Sequence, residues 1–212
     1  MNTLKRIVEN AMYVFQRKYK IQIMKIAIID IETTGFLKAG GKIVEVGIVE
    51  LNLETGEKKI VFDSVVHERP MTLKEVEDSW ILKNSSLTID DIRYSPQLKN
   101  KLEEIQAIID SYPSGSTAFN NVFDFDFLED RGIVFPKKLQ CPMKLSTDIC
   151  KIEGKYGKYK WPKVQEAYDF FFGKTDYVEE HRGADDAFHE ADIVLELYKR
   201  DVFIVEKETL SV

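Results

Sequence analysis

Cysteine is scarce in this chain of 212 residues, and so is histidine: two of the one, three of the other. Cys141 and Cys150 offer no disulfide framework and no CxxC metal pair, so a reducing compartment is expected, the cytoplasm by default. No apolar run approaches the ~18 residues of a membrane-crossing helix. Positive charge is not in excess either. The formal charge of −6 argues against wholesale coating of nucleic acid, while leaving room for a local basic groove. Internal repeats and low-complexity tracts are missing as well. What is present, at 44% hydrophobic content, suffices to bury one good core. One compact domain is expected over 24–200, with 1–23 as an N-terminal extension and 201–212 as a tail.

In the extension, Leu4, Ile7, Val8, Ala11, Met12, Phe15 and Tyr19 recur at helical spacing. Lys5, Arg6, Arg17, Lys18 and Lys20 stand there against the single acid Glu9. This predicts an extra basic amphipathic helix packed on the domain or a partner; a membrane-surface or transit segment is the alternative. Met24 is an alternative start.

From Met24 onward the pattern is strands first, then strands alternating with helices. "KIAIIDIE", "KIVEVGIVELN" and "KKIVFDSVVH" read as three strands with short links, an antiparallel meander. A helix is predicted over 73–85, and another from Pro96 with Ser95 as its N-cap. "GSTAFNN" is a short strand-to-loop passage. "FDFDFLEDRG", "PMKLSTDICKI", "KVQEAYDFFFG" and "ADDAFHEADIVLELYKR" read as helices, the first closed by Gly132 and the third by Gly173. The fold class expected is α/β, a mixed sheet flanked by helices.

Acids interrupt this apolar framework at four places. In a strand, residues i and i+2 share a face, so Asp30 and Glu32 continue the face of Ile26 and Ile28. Two like charges at the mouth of a buried strand stay ionised cheaply only with a cation or a set of donors between them. Asp124 sits among Phe123, Phe125 and Phe127 where a loop becomes a helix. Asp186, Ile193 and Leu197 fall on one side of the last helix. Each helical acid alone is as readily a partner for the helix dipole. Asp126, one step round its helix, reads as solvated or capping. Together, four carboxylates on separate elements suit two oxygen-seeking divalent ions, Mg²⁺ or Mn²⁺, of the kind that promote in-line attack on phosphorus. His181, five residues before Asp186, is the candidate base, with Gly183 letting its loop swing over the site. His189 shares the helix face of Asp186 and is the competitor; His67 reads as a surface residue.

"IIDIETTG", "KIVEVGIVEL", "FNNVFD" and "HRGADDA" stand in the order of the sequence blocks of the DEDDh 3′–5′ exonucleases, and residues 24–200 resemble that family. The resemblance implies an RNase H-like fold with a five-stranded sheet, three antiparallel strands followed by parallel ones. It implies that Asp30, Glu32, Asp124 and Asp186 are the metal-binding acids and His181 the base. Arg182 stands where the subgroup with tyrosine would carry that residue. By the same resemblance Thr33, Thr34 and Gly35 match the turn whose backbone helps hold the substrate's 3′-terminal nucleotide, and Asn120 matches the asparagine of the second block. Phe119 stands where many relatives have histidine.

"KIEGKYGKYKWPKVQEAY" interleaves five lysines with Tyr156, Tyr159 and Trp161. Composition leaves two readings open: a strand-tracking surface, or a solvated loop pinned to the core by Trp161. The resemblance favours substrate contact by Lys158 and Lys160 and a structural role for Trp161. The activity expected is metal-dependent release of 5′-mononucleotides from single-stranded 3′ ends, DNA rather than RNA, with a polymerase or other replication protein as an expected partner in trans. RNA trimming and a non-catalytic binding module are the alternatives.

Overall fold

The computed structural model describes residues 24–175 and 177–206. The N-terminal amphipathic helix expected over 1–23 lies outside the described residues, as does the end of the tail. Strands β1 (Lys25–Thr33), β2 (Ile43–Asn52), β3 (Lys58–Val65) and β4 (Ser116–Thr117) form one sheet in the order β3-β2-β1-β4. β1 runs antiparallel to β2, β2 antiparallel to β3, and β4 parallel to β1. The meander and the parallel addition are as expected; the strand count is not. Among the described residues there are four strands, not five. The fifth position is reduced to one bridge between Ser116 and Lys138, because β4 is only two residues long and offers little to pair with.

The alternation along β1 places its two faces in two cores. Ile26 and Ile28, with Val49 and Leu51 of β2, pack under α6 (Pro142–Cys150), α7 (Val164–Phe172) and α8 (Gly183–Lys199). Ala27, Ile29 and Ile31 pack against α4 (Leu102–Asp110) and α5 (Asn121–Asp130). A strand covered on both faces must be apolar on both, which is why β1 reads as a continuous apolar run until Asp30. No described helix is long and apolar enough to cross a membrane.

The stretch 73–94 folds as three short helices, α1 (Leu73–Asp78), α2 (Trp80–Asn84) and α3 (Ile89–Tyr94). The single helix expected over 73–85 breaks at Ser79, whose extended backbone separates α1 from α2 and whose hydroxyl donates to the carbonyl of Val76. α3 was not foreseen, although Thr88 and Asp91 form a reciprocal capping box at its start. Ser95 ends α3 instead of starting the next helix: its hydroxyl donates to the Ile92 carbonyl, and a 3₁₀ turn at Leu98–Asn100 precedes α4.

Candidate active site

The sheet aims Asp30 and Glu32 at the N-terminal end of α8, and glycine makes the approach possible. Gly47 pairs with Asp30 across the β1–β2 ladder, so the two share a face. A Cβ on Gly47 would fall on the backbone of Gly183 and Ala184, and one on Gly183 would meet the Gly47 amide nitrogen at 2.8 Å. The first turn of α8 therefore rests directly on β2, carrying Asp186 to the acids of β1. Gly183 is the first residue of α8 and packs on the backbone of β1 and β2, a packing residue where the sequence suggested a hinge for His181.

One ligand atom each from Glu32, His181 and Asp186 lie within 4.8 Å of one another. Asp124 reaches the same corner from α5. Its Oδ1 accepts the N–H of Ile31, 3.2 Å away, between Asp30 and Glu32 in β1. β4 pairs with β1 only at Ala27 and Ile28, so this N–H lies past the parallel ladder and a side chain satisfies it instead. The Asp186 carboxylate accepts from the Arg182 backbone N–H at 3.0 Å and from the Tyr177 hydroxyl at 3.3 Å. His181 Nδ1 stands 3.8 Å from Glu179 Oε1. His189 turns elsewhere, its Nδ1 2.9 Å from the Asp185 carbonyl oxygen and its ring stacked on Tyr177 at 4.0 Å. Asp126 is exposed, as expected for the residue one step round the helix.

The electrostatics of this corner are unfavourable for the protein alone. Burial, reinforced by Glu190, Glu32, Asp124 and Asp186, pushes Asp30 well above the usual carboxylate range. Burial and the neighbouring Asp186, Glu45 and Asp124 carry Glu32 to about 9. Asp124 and Asp186 rise to about 7, again through burial, and the backbone N–H groups they accept from hold them lower than burial alone would. Asp30 Oδ2 is sealed from solvent and has no hydrogen-bond partner. An orphaned buried carboxylate oxygen beside three more acids is the arrangement a hard divalent cation would satisfy. The donor set, carboxylate oxygens with one imidazole at the edge, fits Mg²⁺ or Mn²⁺.

Two further buried acids escaped the sequence reading. Glu190, one turn beyond Asp186, is 2% exposed, accepts the Phe119 N–H at 3.2 Å and is held well above the usual range by burial and by Asp124 and Asp186. The helical spacing that singled out Asp186 includes Glu190 at i+4, so the signal was present. Glu45 lies opposite Glu32 across the ladder at 1% exposure. Like charges so placed repel, and Arg182 offsets this by gripping both Glu45 oxygens at 2.8–3.0 Å. Nothing in the local sequence connects residues 137 apart.

Of the expected substrate contacts, Asn120 lines a groove of about 600 Å³, whereas Thr34 and Gly35 line a separate, smaller pocket of about 290 Å³. Phe36, Asn120, Phe123, Lys144 and Trp161 are among the groove's lining residues. Asn120 is exposed at the start of α5, with its side chain making no cap bond. Thr33 and Thr34 spend their hydroxyls on the turn: Thr33 donates to the Gly35 carbonyl, and Thr34 accepts from the Lys42 N–H, both at 3.0 Å. Gly35 is exposed at the tip of that turn. Lys158 is exposed, whereas Lys160 is committed to both oxygens of Glu166 at 2.5 and 2.7 Å. Trp161 is not pinned in the core as expected. It is 62% exposed and lines the groove, because Pro162, which follows it, takes the buried position.

The RNase T exonuclease family matches residues 27–194, an interval that contains every acid described above. Comparison with curated proteins gives no match. Among solved structures, a 3′-exonuclease described in 3′-end recognition of a histone mRNA stem-loop is 15% identical, with a TM-score of 0.65 over 90% of this chain and 93% of that one. The nuclease domain of 3′hExo, a DEDDh family member bound to rAMP, is 16% identical, with a TM-score of 0.64 over 89% and 99%. E. coli Exonuclease I in complex with a dA16 oligonucleotide is 12% identical at a TM-score of 0.57 over 84% of this chain, which spans 42% of that one. These likenesses are of fold, an RNase H-like mixed sheet flanked by helices. The chain belongs to the RNase T exonuclease family and is a 3′–5′ exonuclease of the DEDDh type, a phosphodiester hydrolase.

Proposed function

We propose that the protein removes 5′-mononucleotides one at a time from the 3′ ends of single-stranded DNA, using two divalent metal ions. The observation that carries this reading is the convergence of Glu32, His181 and Asp186 within 4.8 Å beside the orphaned oxygen of Asp30. Asp30, Glu32, Asp124 and Asp186 would hold the ions. When bound, such ions make a water acidic enough to attack phosphorus and offset the charge that develops on the phosphate and the leaving 3′ oxygen. His181, at the rim of the acids, takes the proton of the attacking water and returns it to bulk solvent. Glu179 stands beside its Nδ1, with Oε1 3.8 Å away.

The groove supports a single strand over a duplex. Its walls are largely aromatic and aliphatic, with Lys38 and Lys144 at hand for phosphates. Base faces stack on aromatic rings whatever their identity, whereas bases inside a duplex are already stacked on their neighbours. The polar residues among the groove's described lining are Lys38, Asn120, Asp126 and Lys144, and DNA is the substrate proposed. The second reading, RNA, draws on the solved relative bound to rAMP.

Labelled DNA and RNA oligonucleotides of matched sequence, digested side by side with Mg²⁺, test the proposal. Single-nucleotide shortening from the 3′ end of DNA, abolished by EDTA and by Asp30→Ala, is expected. Activity that survives either treatment would overturn the mechanism, and faster digestion of RNA would replace the substrate.

A further inference from the structure

His181 is held in its place by more than its own loop. Its backbone lies in the left-handed region at φ 54°, a conformation strained for a non-glycine residue that persists only where the surroundings enforce it. Two kinds of contact surround it. On one side the Trp80 ring meets the imidazole edge-to-face, with centroids 4.6 Å apart and planes at 78°. On the other, the next residue, Arg182, is fastened three ways: its guanidinium forks onto buried Glu45 of β2, its Nη1 donates to Ser86 Oγ at 3.0 Å, and its backbone N–H donates to Asp186. Ser86 closely follows α2, the helix that Trp80 opens. One arginine thus ties the loop of His181 both to the sheet and to the segment that presents Trp80.

Trp80 itself has little structural reason to be tryptophan. It is 56% exposed, and the buried anchor of α2 is its neighbour Ile81. A ring this large left half in solvent against the candidate base is placed for the base.

We propose that Trp80 is a positioning residue: its ring braces the His181 imidazole toward Glu32 and Asp186, within the frame that Arg182 and Glu45 fix. Edge-to-face contact holds a ring orientation without supplying a proton donor or acceptor, so His181 stays available for proton transfer. The inference rests on the nuclease reading for its catalytic consequence, but not for its geometry.

Trp80→Ala and Trp80→Phe in the full chain test it. For Trp80→Ala, kcat on a single-stranded oligonucleotide should fall about tenfold to a hundredfold, the loss expected of a misplaced catalytic group. KM should stay within about threefold, since uniform substrate binding is untouched. Mn²⁺ affinity should be unchanged, and Trp80→Phe, which keeps an aromatic edge contact, should restore most of the rate. In parallel, the ring-carbon proton of His181, observed by NMR in histidine-labelled protein, should move in the alanine variant and return toward its original position in phenylalanine. A raised KM with kcat intact would overturn the brace and make Trp80 a base-stacking platform. An unmoved His181 resonance would overturn it as well. If the wild-type protein itself hydrolyses nothing, the nuclease reading fails, while the resonance still decides the contact.

Discussion

Gly47 of β2 and Gly183 of α8 meet backbone to backbone, and this contact sets how deeply the helix carrying Asp186 sinks onto the sheet. Overpacking such a contact costs typically ~1–3 kcal/mol, and the helix must lift to relieve it. Gly47→Ala should therefore destabilise the protein by roughly that amount and reduce exonuclease activity by more than about a hundredfold, because a displacement near 1 Å already costs that much. Urea denaturation beside the digestion assay checks both parts; full activity in a destabilised variant would separate the contact from the site.

In the absence of divalent ions, the acids should make stability fall as pH rises. Their folded-state pKa values lie above the ordinary ones, with Glu32 at about 9 and Asp124 and Asp186 at about 7. From about pH 4.5 to 9 the folded chain keeps protons that the unfolded chain releases, so unfolding frees protons and is favoured by raising the pH. Above about 9 the penalty is fully developed. In EDTA, Tm should drop by roughly 4 °C or more between pH 6 and pH 9, about 1–2 kcal/mol for a chain of this size. Saturating Mg²⁺ should flatten the profile, since the ions displace the same protons.

Asp30→Asn replaces a carboxyl that burial and the neighbouring acids make costly to ionise in the folded chain, and whose Oδ2 has no partner. Its effects on stability and on activity should run in opposite directions. The variant should melt higher than the wild type in EDTA at pH 8, lose the added stability that divalent ions confer, and retain less than about 0.1% of the activity. Calorimetry with and without Mg²⁺ distinguishes this from simple misfolding, which would lower Tm in both conditions.

For His181→Ala the expected deficit lies in rate. Removing a general base typically costs 10²- to 10⁴-fold, while Mn²⁺ affinity, measured by titration calorimetry, should change by less than about threefold. A large loss of metal affinity would assign His181 to ligation, a role its place beside Glu32 and Asp186 also permits geometrically.

Along the groove, Phe36 is 74% exposed and Trp161 62%, rings with more to gain from a stacked base than from the fold. Stacking is worth ~1–3 kcal/mol per base. Phe36→Ala and Trp161→Ala should each raise KM about fivefold or more on oligonucleotides, with Tm within about 1 °C of the wild type. Lys160→Ala should do less, because its ammonium is already held by Glu166.

The parts of the site legible in the chain were those carried by short-range periodicity. Alternation in β1 put Asp30 and Glu32 on one face, and the apolar stripe of α8 singled out Asp186. Glu190 obeyed the same stripe and was overlooked. Trp161 misled because composition does not say which of two neighbours is buried, and Pro162 took that place. Glu45, Tyr177 and Trp80 gave no local sign. Their partners are Arg182, Asp186 and His181, brought to them only by the packing of α8 and its preceding loop on the sheet.

The three-strand meander, the two buried faces of β1 and the placing of Asp30 and Glu32 on one of them follow from the sequence, because hydrophobic periodicity and residue chemistry are local properties. How near those groups approach, which buried charge Arg182 neutralises, and where His181 is braced belong to the tertiary structure. These depend on two glycines that let a helix touch a strand, a contact between residues far apart in the chain that no window of sequence contains.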